Sequence, residues 1–312
     1  MKNIFFSLLF ICSLGAVAQI DRSTQPKPGP APEINLSEPE TFTLKNGLKV
    51  IVVENHKLPR VSYTLTLDNP PIAEGEKTGA AALSGALLGK GSANISKDDF
   101  NEEVDYIGAR MNFGSQYASA GGLSQYAERI LELLADAAIH PNFTQEEFEK
   151  EQEILIEGLK TNEKSVAAAA GKVSRALLYG KDHPKGEFET QESIEGITLA
   201  DAKAFYNKAF IPNNAYLVVV GDVDYKDVKD WVTTFFKDWE KGAALSNDFS
   251  TPENVATTEI NFVDMPNAVQ SQVIVENLVD LKMSDPDYFP VLMENQILGG
   301  GGEGRLFLNL RE

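Results

Sequence analysis

The sequence predicts an α+β fold, and three observations support this class. Apolar runs at residues 41–44 and 48–54 flank Asn46 and Gly47, a pair that strongly favours a β-hairpin. Further strand-like runs are separated by segments with the helical period of about 3.6 residues. The strand, strand, helix, glycine order at the start of the domain returns weakly after residue 259. Together these patterns indicate an α+β domain in which helices cover a sheet.

The expected elements follow one another along residues 40–239. Beyond the hairpin, we expect strands at residues 61–67, 111–119 and 216–221, the last of them buried on both faces. We expect helices at residues 79–88, 97–111, 123–139, 145–160, 165–178, 199–210 and 225–236. Ser96 and Thr144 are the expected N-caps of the second and fourth helices. The alanine-rich helix at 165–178 is expected to pack closely on its neighbours.

Residues 1–18 predict a secretory signal peptide. Lys2 precedes an apolar run at residues 4–14, and Ala16, Val17 and Ala18 form a cleavage site of the A-x-A type. A membrane anchor is the weaker alternative, because the run is shorter than the roughly 20 residues that span a bilayer. Cys12 lacks the small preceding residues of a lipoprotein signal, which makes lipid attachment a minor alternative.

Composition indicates in which cellular compartment the protein is expected and which classes of partner it can bind. A chain of 312 residues with 43% hydrophobic and 24% charged residues belongs to the soluble globular class. Removal of the signal peptide changes the net charge from −18 to −19 and removes the only cysteine, so no disulfide is expected. This favours export to a bacterial periplasm without membrane insertion after signal cleavage. The acidity argues against nucleic acid, and it either favours cationic peptides or only keeps the protein soluble.

The segment at residues 79–88 consists of Ala, Leu, Gly and Ser without any charge, and it predicts a short buried helix. Its small side chains allow another backbone to approach closely. Gly89 and Gly91 then end the helix with residues that tolerate positive φ. A tightly packed core helix by itself accounts for this composition.

The same segment resembles the helix of the inverzincin metallopeptidases, the pitrilysin, insulinase and mitochondrial processing peptidase type, whose motif is G-x-x-H-x-x-E-H-x-x-x-x-G-[TS]. Gly79, Gly91 and Ser92 match without a gap, and we call these three residues the motif frame. The two zinc-binding His positions then fall on Ala82 and Ala86, and the Glu that activates water falls on Gly85. Methyl groups and a hydrogen can neither bind zinc nor accept a proton.

The resemblance also implies a zinc-binding Glu on a later helix. Residues 149–159, EKEQEILIEGL, match the family pattern and place Gly158 at this ligand. Glu157 is the nearest carboxylate, but one residue along a helix is a rotation of about 100°. A zinc site needs three or four ligands from His, Cys, Asp or Glu. We therefore expect no cofactor in this chain and call Ala82, Gly85, Ala86 and Gly158 the motif positions.

The resemblance implies two homologous domains, each an α/β roll in which helices cover an antiparallel sheet. Composition and patterning along the chain give the boundaries expected here. These are a signal peptide at 1–18, a linker at 19–39, a first domain at 40–239, an interdomain linker at 240–258 and an incomplete second domain at 259–312. In the second domain we expect strands at 259–264 and 271–275 and a helix at 288–298.

Arg311 is the residue that the resemblance assigns to substrate backbone binding. The alternative is an ordinary surface Arg paired with a Glu. The glycine run before it, residues 299–302, is not followed by Gly-Lys-Ser or Gly-Lys-Thr, so it does not predict a phosphate loop.

The three histidines give no second site by sequence. His56, His140 and His183 are far apart, and none has another metal-type ligand at helical spacing, so we expect capping or solvated roles. The sequence contains no G-x-S-x-G element, although a Ser-His-Asp triad stays open.

The leading hypothesis is a non-catalytic subunit that pairs with an active zinc subunit of the same family and helps it bind and cleave peptides. The zinc is then expected in the partner only. The alternatives are a peptide-binding or assembly scaffold without a proteolytic role, and an enzyme with a different active site.

Overall fold

The computed structural model describes residues 29–30, 38–246, 249–266 and 268–311. Residues 1–38 and residues 39–312 are two separate units, and the fold below belongs to the second. The predicted signal peptide at 1–18 lies outside the described residues, as does most of the predicted linker at 19–39. Among the described residues, no helix is long and apolar enough to cross a membrane.

Six strands form one sheet, in the order β1-β2-β6-β3-β5-β4. Their bounds are β1 Glu40–Thr43, β2 Lys49–Glu54, β3 Arg60–Leu67, β4 Arg110–Gly114, β5 Tyr117–Leu123 and β6 Ala215–Gly221. Four of the five strand pairs are antiparallel, but β6 inserts between β2 and β3 and runs parallel to β2. The α+β class is confirmed, and the sheet is antiparallel except at the β2–β6 pair.

The helices are α1 Ala80–Leu87, α2 Lys97–Tyr106, α3 Ala127–Ile139, α4 Gln145–Asn162, α5 Val166–Tyr179, α6 Gln191–Glu195, α7 Leu199–Ala209, α8 Tyr225–Phe236, α9 Tyr288–Gly299 and α10 Arg305–Arg311. The Ser96 and Thr144 side chains accept the N–H groups of Asp99 and Glu147, as expected of N-caps. Helix α6 was not predicted, and its Thr190 and Ser193 form a capping box.

The core lies between one face of the sheet and the helices. Strand β3 alternates strictly, with Val61, Tyr63, Leu65 and Leu67 buried. Helix α3 packs on β5 and α8 and buries Ile130, Leu133, Leu134 and Ala137. Strand β6 is buried on one face only, because Val218 and Val220 point to the open side. The expectation that this strand is buried on both faces is therefore wrong.

Two predicted elements have different bounds because of local turn chemistry. The helix expected at 97–111 ends at Tyr106, since Gly108 adopts a φ of +62° and starts a new direction. The strand expected at 111–119 is a hairpin, β4 and β5, with a turn at Ser115 and Gln116. The helix expected at 123–139 begins only at Ala127, because Leu123 still belongs to β5.

The described residues between 249 and α9 form no helix or strand, and most of them are exposed. Neither predicted strand, 259–264 or 271–275, is present, while the helix expected at 288–298 is present as α9. Apolar side chains of this segment face solvent: Ile260, Phe262, Val269, Val273, Val275, Val279, Met283 and Phe289. A strand forms only where a neighbouring strand satisfies its backbone, and the described residues offer none here. Helix α5 also has no fully buried residue, which contradicts its expected close packing.

The β1–β2 hairpin is tied to the end of α8 through Asn46. Its side-chain amide donates to the carbonyls of Phe236 at 2.7 Å and Trp239 at 3.1 Å, and its Oδ1 accepts the N–H of Leu48 at 3.2 Å. Gly47 adopts a φ of +94°, which confirms the predicted turn. One buried side chain thus connects the β1–β2 hairpin to the C-terminal end of α8.

We predict that Asn46→Ala lowers the free energy of unfolding by about 1–3 kcal/mol, since two buried carbonyls lose their donor. Urea denaturation followed by far-ultraviolet circular dichroism measures this change. Asn55→Ala is the matched control, because Asn55 accepts only the N–H of Lys57 in an exposed turn and surface changes stay within about 0.5 kcal/mol. Equal changes in the free energy of unfolding for the two substitutions would show that the Asn46 hydrogen bonds to Phe236 and Trp239 do not stabilise the fold.

Candidate functional site

The N-terminus of α1 is held by the segment that precedes it. Gly79 is the N-cap, with a φ of +113°, and it has no side chain to accept the first N–H groups. Glu74 supplies the missing acceptor: its Oε2 receives the N–H of Gly79 at 3.2 Å and of Ala81 at 2.7 Å. A carboxylate is well suited to this place, because it also complements the positive end of the helix dipole.

Glu187 fixes Glu74 in turn. Its carboxylate accepts the N–H groups of Glu74 at 3.0 Å and Gly75 at 2.9 Å. Burial raises the pKa of the Glu74 carboxyl above its ordinary value, and Glu187 and Glu189 raise it further, although the Ala81 and Gly79 N–H groups oppose this shift. Sequence reasoning did not single out Glu74; the only signal was an acidic residue close before a helix start.

The exit of α1 is equally constrained. Gly89 and Gly91 have φ angles of +74° and +83°, which confirms the conformation expected from sequence. The Ser92 hydroxyl hydrogen-bonds the Asp136 carboxylate of α3, and Asn94 donates to the same carboxylate at 2.6 Å. Ser92 Oγ also accepts the N–H groups of Asn94 and Ile95, each at 3.0 Å. Gly91 and Ser92 therefore have structural roles that need no metal.

The motif positions lie on two helices that pack together, α1 and α4. Ala82 is exposed, Ala86 is half-buried and Gly85 is buried, while Gly158 is exposed on α4. None of these side chains carries a nitrogen, oxygen or sulfur atom. Among the described residues, no group of three or more His, Cys, Asp or Glu is arranged to hold a metal ion. The residues present do not fit a zinc ion.

The two glycines at motif positions have opposite surroundings. A Cβ atom at Gly85 would lie 2.5 Å from the backbone nitrogen of Ser115 and 3.0 Å from the carbonyl carbon of Gly114. Any side chain at this position would therefore collide with the backbone of the β4–β5 turn. A Cβ at Gly158 would meet nothing within 4 Å. Of these two glycine positions, only 158 has free space for a larger side chain.

The carboxylates near the motif positions are engaged with lysines. Glu157, the nearest acid to Gly158, pairs with Lys160 at 2.7 Å on the helix surface. Glu151 pairs with Lys90 at 2.7 Å, and Glu147 pairs with Lys97 at the same distance. These last two pairs fasten the segment after α1 onto α4. The Lys97 ammonium lowers the pKa of the Glu147 carboxyl, and it is helped by Lys150.

Arg311 lies at the end of α10 and is exposed. Its guanidinium carbon is 5.3 Å from the centre of the Phe307 ring, one helical turn earlier. No salt bridge of Arg311 occurs within the part of the chain that the structure describes, so the alternative of an Arg–Glu surface pair is not observed. The structure brings Arg311 into no contact with the motif positions.

A Ser, an Asp and a His do meet at one end of the sheet, but in the wrong order for a catalytic triad. Asp222 lies between the other two, accepting from Ser124 Oγ at 2.7 Å and joining His56 Nδ1 at 2.8 Å. A triad requires the His between the Ser and the Asp. The Asp222 carboxylate raises the pKa of His56, and His56 followed by Ser124 lowers that of Asp222. The cluster fastens the β2–β3 turn and offers no activated nucleophile.

The other two histidines are structural as well. The His140 carbonyl accepts the N–H of Ala93, and the His183 ring stacks on Tyr179 at 5.3 Å. Each lies at the end of a helix or in the loop after it, as the sequence predicts.

Comparison with known proteins places this geometry in a family. Residues 49–182 match the family model described as insulinase, peptidase family M16, and residues 196–312 match the model described as peptidase M16 inactive domain. Two curated relatives differ in their descriptions. An "Uncharacterized zinc protease YmxG" of Bacillus subtilis is 20% identical over 87% of this chain and 66% of its own length. A "Non-peptidase homolog YmxG" of Helicobacter pylori is 22% identical over 84% of this chain and 61% of its own.

This chain thus spans less than two thirds of the length of these curated relatives. Among solved structures, a peptidase M16 inactive domain from Pseudomonas fluorescens matches with a TM-score of 0.71 and 24% identity. The match covers 88% of this chain and 67% of that one, and it shows the shared fold. The chain belongs to the insulinase family, peptidase family M16.

Proposed function

We propose that this chain is a non-catalytic subunit that helps an active zinc peptidase of the same family bind and cleave peptides. The observation that carries the proposal is a complete motif frame around motif positions without a single metal-binding atom. Zinc and the catalytic base then belong to the partner subunit. In this chain α1 is a structural helix, so we assign it no catalytic step.

The motif frame supports this assignment because each of its residues has a role independent of metal. Gly79 turns the chain into α1, Gly91 turns it out again, and Ser92 fastens the exit to Asp136. A protein that still used zinc would need donor atoms at positions 82, 86 and 158 as well.

A surface for peptides is available beside α1. Strand β4 is at the edge of the sheet, and among the described residues its backbone pairs only with β5. The free N–H and C=O groups of an edge strand can pair with an extended peptide, which gives affinity through main-chain hydrogen bonds. Helix α1 packs against β4, so a peptide at this edge would pass alongside α1. Holding a peptide needs no zinc, which suits a helper subunit.

Arg311 and the location of the protein complete the proposal. The exposed guanidinium of Arg311 has donors free for peptide carbonyls, as the family resemblance suggests. We also place the protein outside the cytoplasm, in a bacterial periplasm, on the strength of the leader at residues 1–18. The second candidate, an assembly or peptide-binding scaffold, predicts peptide binding without any effect on hydrolysis.

We predict that the triple variant Ala82→His, Ala86→His and Gly158→Glu binds zinc, because it restores three ligands and leaves Gly85 in place. Each new side chain enters exposed or half-buried space, so the fold should persist. Isothermal titration calorimetry should show a single zinc ion per chain. The control, the two histidines without Gly158→Glu, should bind markedly more weakly.

Adding Gly85→Glu to the triple variant completes the family's motif, but it should lower the melting temperature, since the new side chain meets the β4–β5 turn. Catalysis is therefore not expected from the quadruple variant. A folded triple variant that binds no zinc would show that the alignment of the motif positions is wrong.

We predict that the protein stimulates peptide hydrolysis by an active zinc subunit of the same family, and that Arg311→Ala reduces this stimulation by about tenfold. A hydrogen bond to a charged group contributes about 1.5–3 kcal/mol, which is the basis of that figure. Cleavage of a fluorogenic peptide gives the rates, and analytical ultracentrifugation shows whether the two proteins still assemble.

Arg305→Ala is the matched control, because Arg305 is an exposed arginine on the same helix, α10. It should leave both hydrolysis and assembly unchanged. If the partner alone cleaves as fast as the mixture, the scaffold function replaces the one proposed here.

A further inference from the structure

We propose that Gly85 is a positioning residue: it seats the β4–β5 hairpin directly on helix α1 and thereby fixes the free edge of strand β4. The motif position that has lost its catalytic side chain would thus have acquired a packing role of its own. The part of this inference that concerns peptides rests on the proposed function above. The part that concerns the seat stands on the geometry alone.

We call the contact of Gly85 with Gly114 and Ser115 the seat, and it is a contact between two backbones. With hydrogen as its side chain, Gly85 lets the turn approach so closely that a Cβ would lie 2.5 Å from Ser115 N, and 3.0 Å and 3.1 Å from Gly114 C and Cα. These are main-chain atoms, which cannot rotate away as the tip of a side chain can. A methyl group at position 85 therefore has to move the turn, the helix or both.

Two more glycines, Gly89 and Gly114, allow close contacts in and around the β4–β5 hairpin. A Cβ at Gly89 would lie 2.5 Å from the Phe113 ring of β4, and a Cβ at Gly114 would lie 2.3 Å from the Tyr117 ring of β5. Gly89 also has a φ of +74°, which disfavours any other residue. Gly89 thus lets the Phe113 ring approach the end of α1, while the Gly114 contact lies within the hairpin itself.

Position 158 provides an internal comparison. Gly158 is also a glycine inside a helix at a motif position, yet it is exposed and an added Cβ meets nothing. Replacement of an unconstrained helical glycine by alanine stabilises a protein, because glycine loses more backbone entropy on folding. The same substitution at Gly85 has to overcome the collision with the turn. The two glycines should therefore respond to alanine in opposite directions.

The seat determines where the edge of β4 lies. Strand β4 is held by β5 on one side only, so its position also depends on its contact with α1. A hairpin displaced from α1 would fray at this edge first, because edge backbone has no second partner. We therefore connect the residue at position 85 to the ability of β4 to accept a peptide strand.

Gly85→Ala and Gly158→Ala test the seat when they are compared in the otherwise unchanged protein. We expect the melting temperature to fall by several degrees for Gly85→Ala and to rise for Gly158→Ala. Hydrogen exchange at residues 110–114 should accelerate about tenfold in Gly85→Ala. Exchange at residues 40–43, the opposite edge of the sheet, should not change. A melting temperature that rises for both variants, with unchanged exchange at 110–114, would overturn the inference.

A rescue variant separates a seat from general destabilisation. Insertion of one glycine between Gly114 and Ser115 lengthens the turn and gives a methyl group at position 85 room. It should lower the melting temperature of the wild type and raise that of Gly85→Ala. This comparison also decides the matter if Gly85→Ala alone fails to fold: a double variant that stays unfolded would count against the seat.

A fluorescein-labelled decapeptide of alternating lysine, valine and threonine probes the edge by fluorescence anisotropy. Well below the melting temperature, Gly85→Ala should weaken its binding by about tenfold, which is about 1.4 kcal/mol. Gly158→Ala should leave binding unchanged. If the wild type binds no peptide while the stability and exchange results hold, the peptide role in the proposed function fails and the seat remains. If Gly85→Ala binds the peptide as well as the wild type does, the link between seat and edge is wrong.

Discussion

The contact between Gly85 and the β4–β5 turn is the constraint on which the surface around the motif depends. Helix α1 has only eight residues; it buries Leu83 and Leu87, and at Gly85, between them, its backbone lies directly against the backbone of the turn. At position 85 a carboxylate and the observed turn cannot occupy the same space. A catalytic Glu at position 85 and the observed position of the β4–β5 turn therefore exclude each other. A chain with glycine at this position keeps the fold intact.

The rest of the motif persists because hydrogen bonds and ion pairs, rather than a metal, hold α1 in place. Glu74 caps its first turn, Ser92 fastens its exit to Asp136, and the Lys90–Glu151 pair joins that exit to α4. A structural metal often supplies folding energy, and its removal then unfolds the protein. Here the contacts at both ends of α1 are made between residues of this chain. A surface of this kind can bind a peptide or a partner while it performs no hydrolysis.

Sequence reasoning succeeded where the signal was local. The Asn46–Gly47 turn, the Ser96 and Thr144 caps and the alternation of β3 all depend on neighbouring residues, and the structure contains them. The placement of β6 between β2 and β3 depends on pairing between distant segments, which periodicity does not encode. Alternation at 259–264 and 271–275 predicts strands, but a strand needs a partner that the described residues do not supply. Gly85 and Gly158 are indistinguishable by sequence, and only their surroundings show that one is locked and the other open.

The motif positions of this member of the insulinase family carry no side-chain zinc ligand, so we expect the protein to fold without zinc. The most direct measurement is the metal content of the purified full-length protein after dialysis against a weak chelator, read by elemental analysis alongside its melting temperature. We expect the purified protein to contain no stoichiometric zinc and to have the same melting temperature with and without added zinc. One tightly held zinc ion per chain, or a melting temperature that rises when zinc is added, would contradict it.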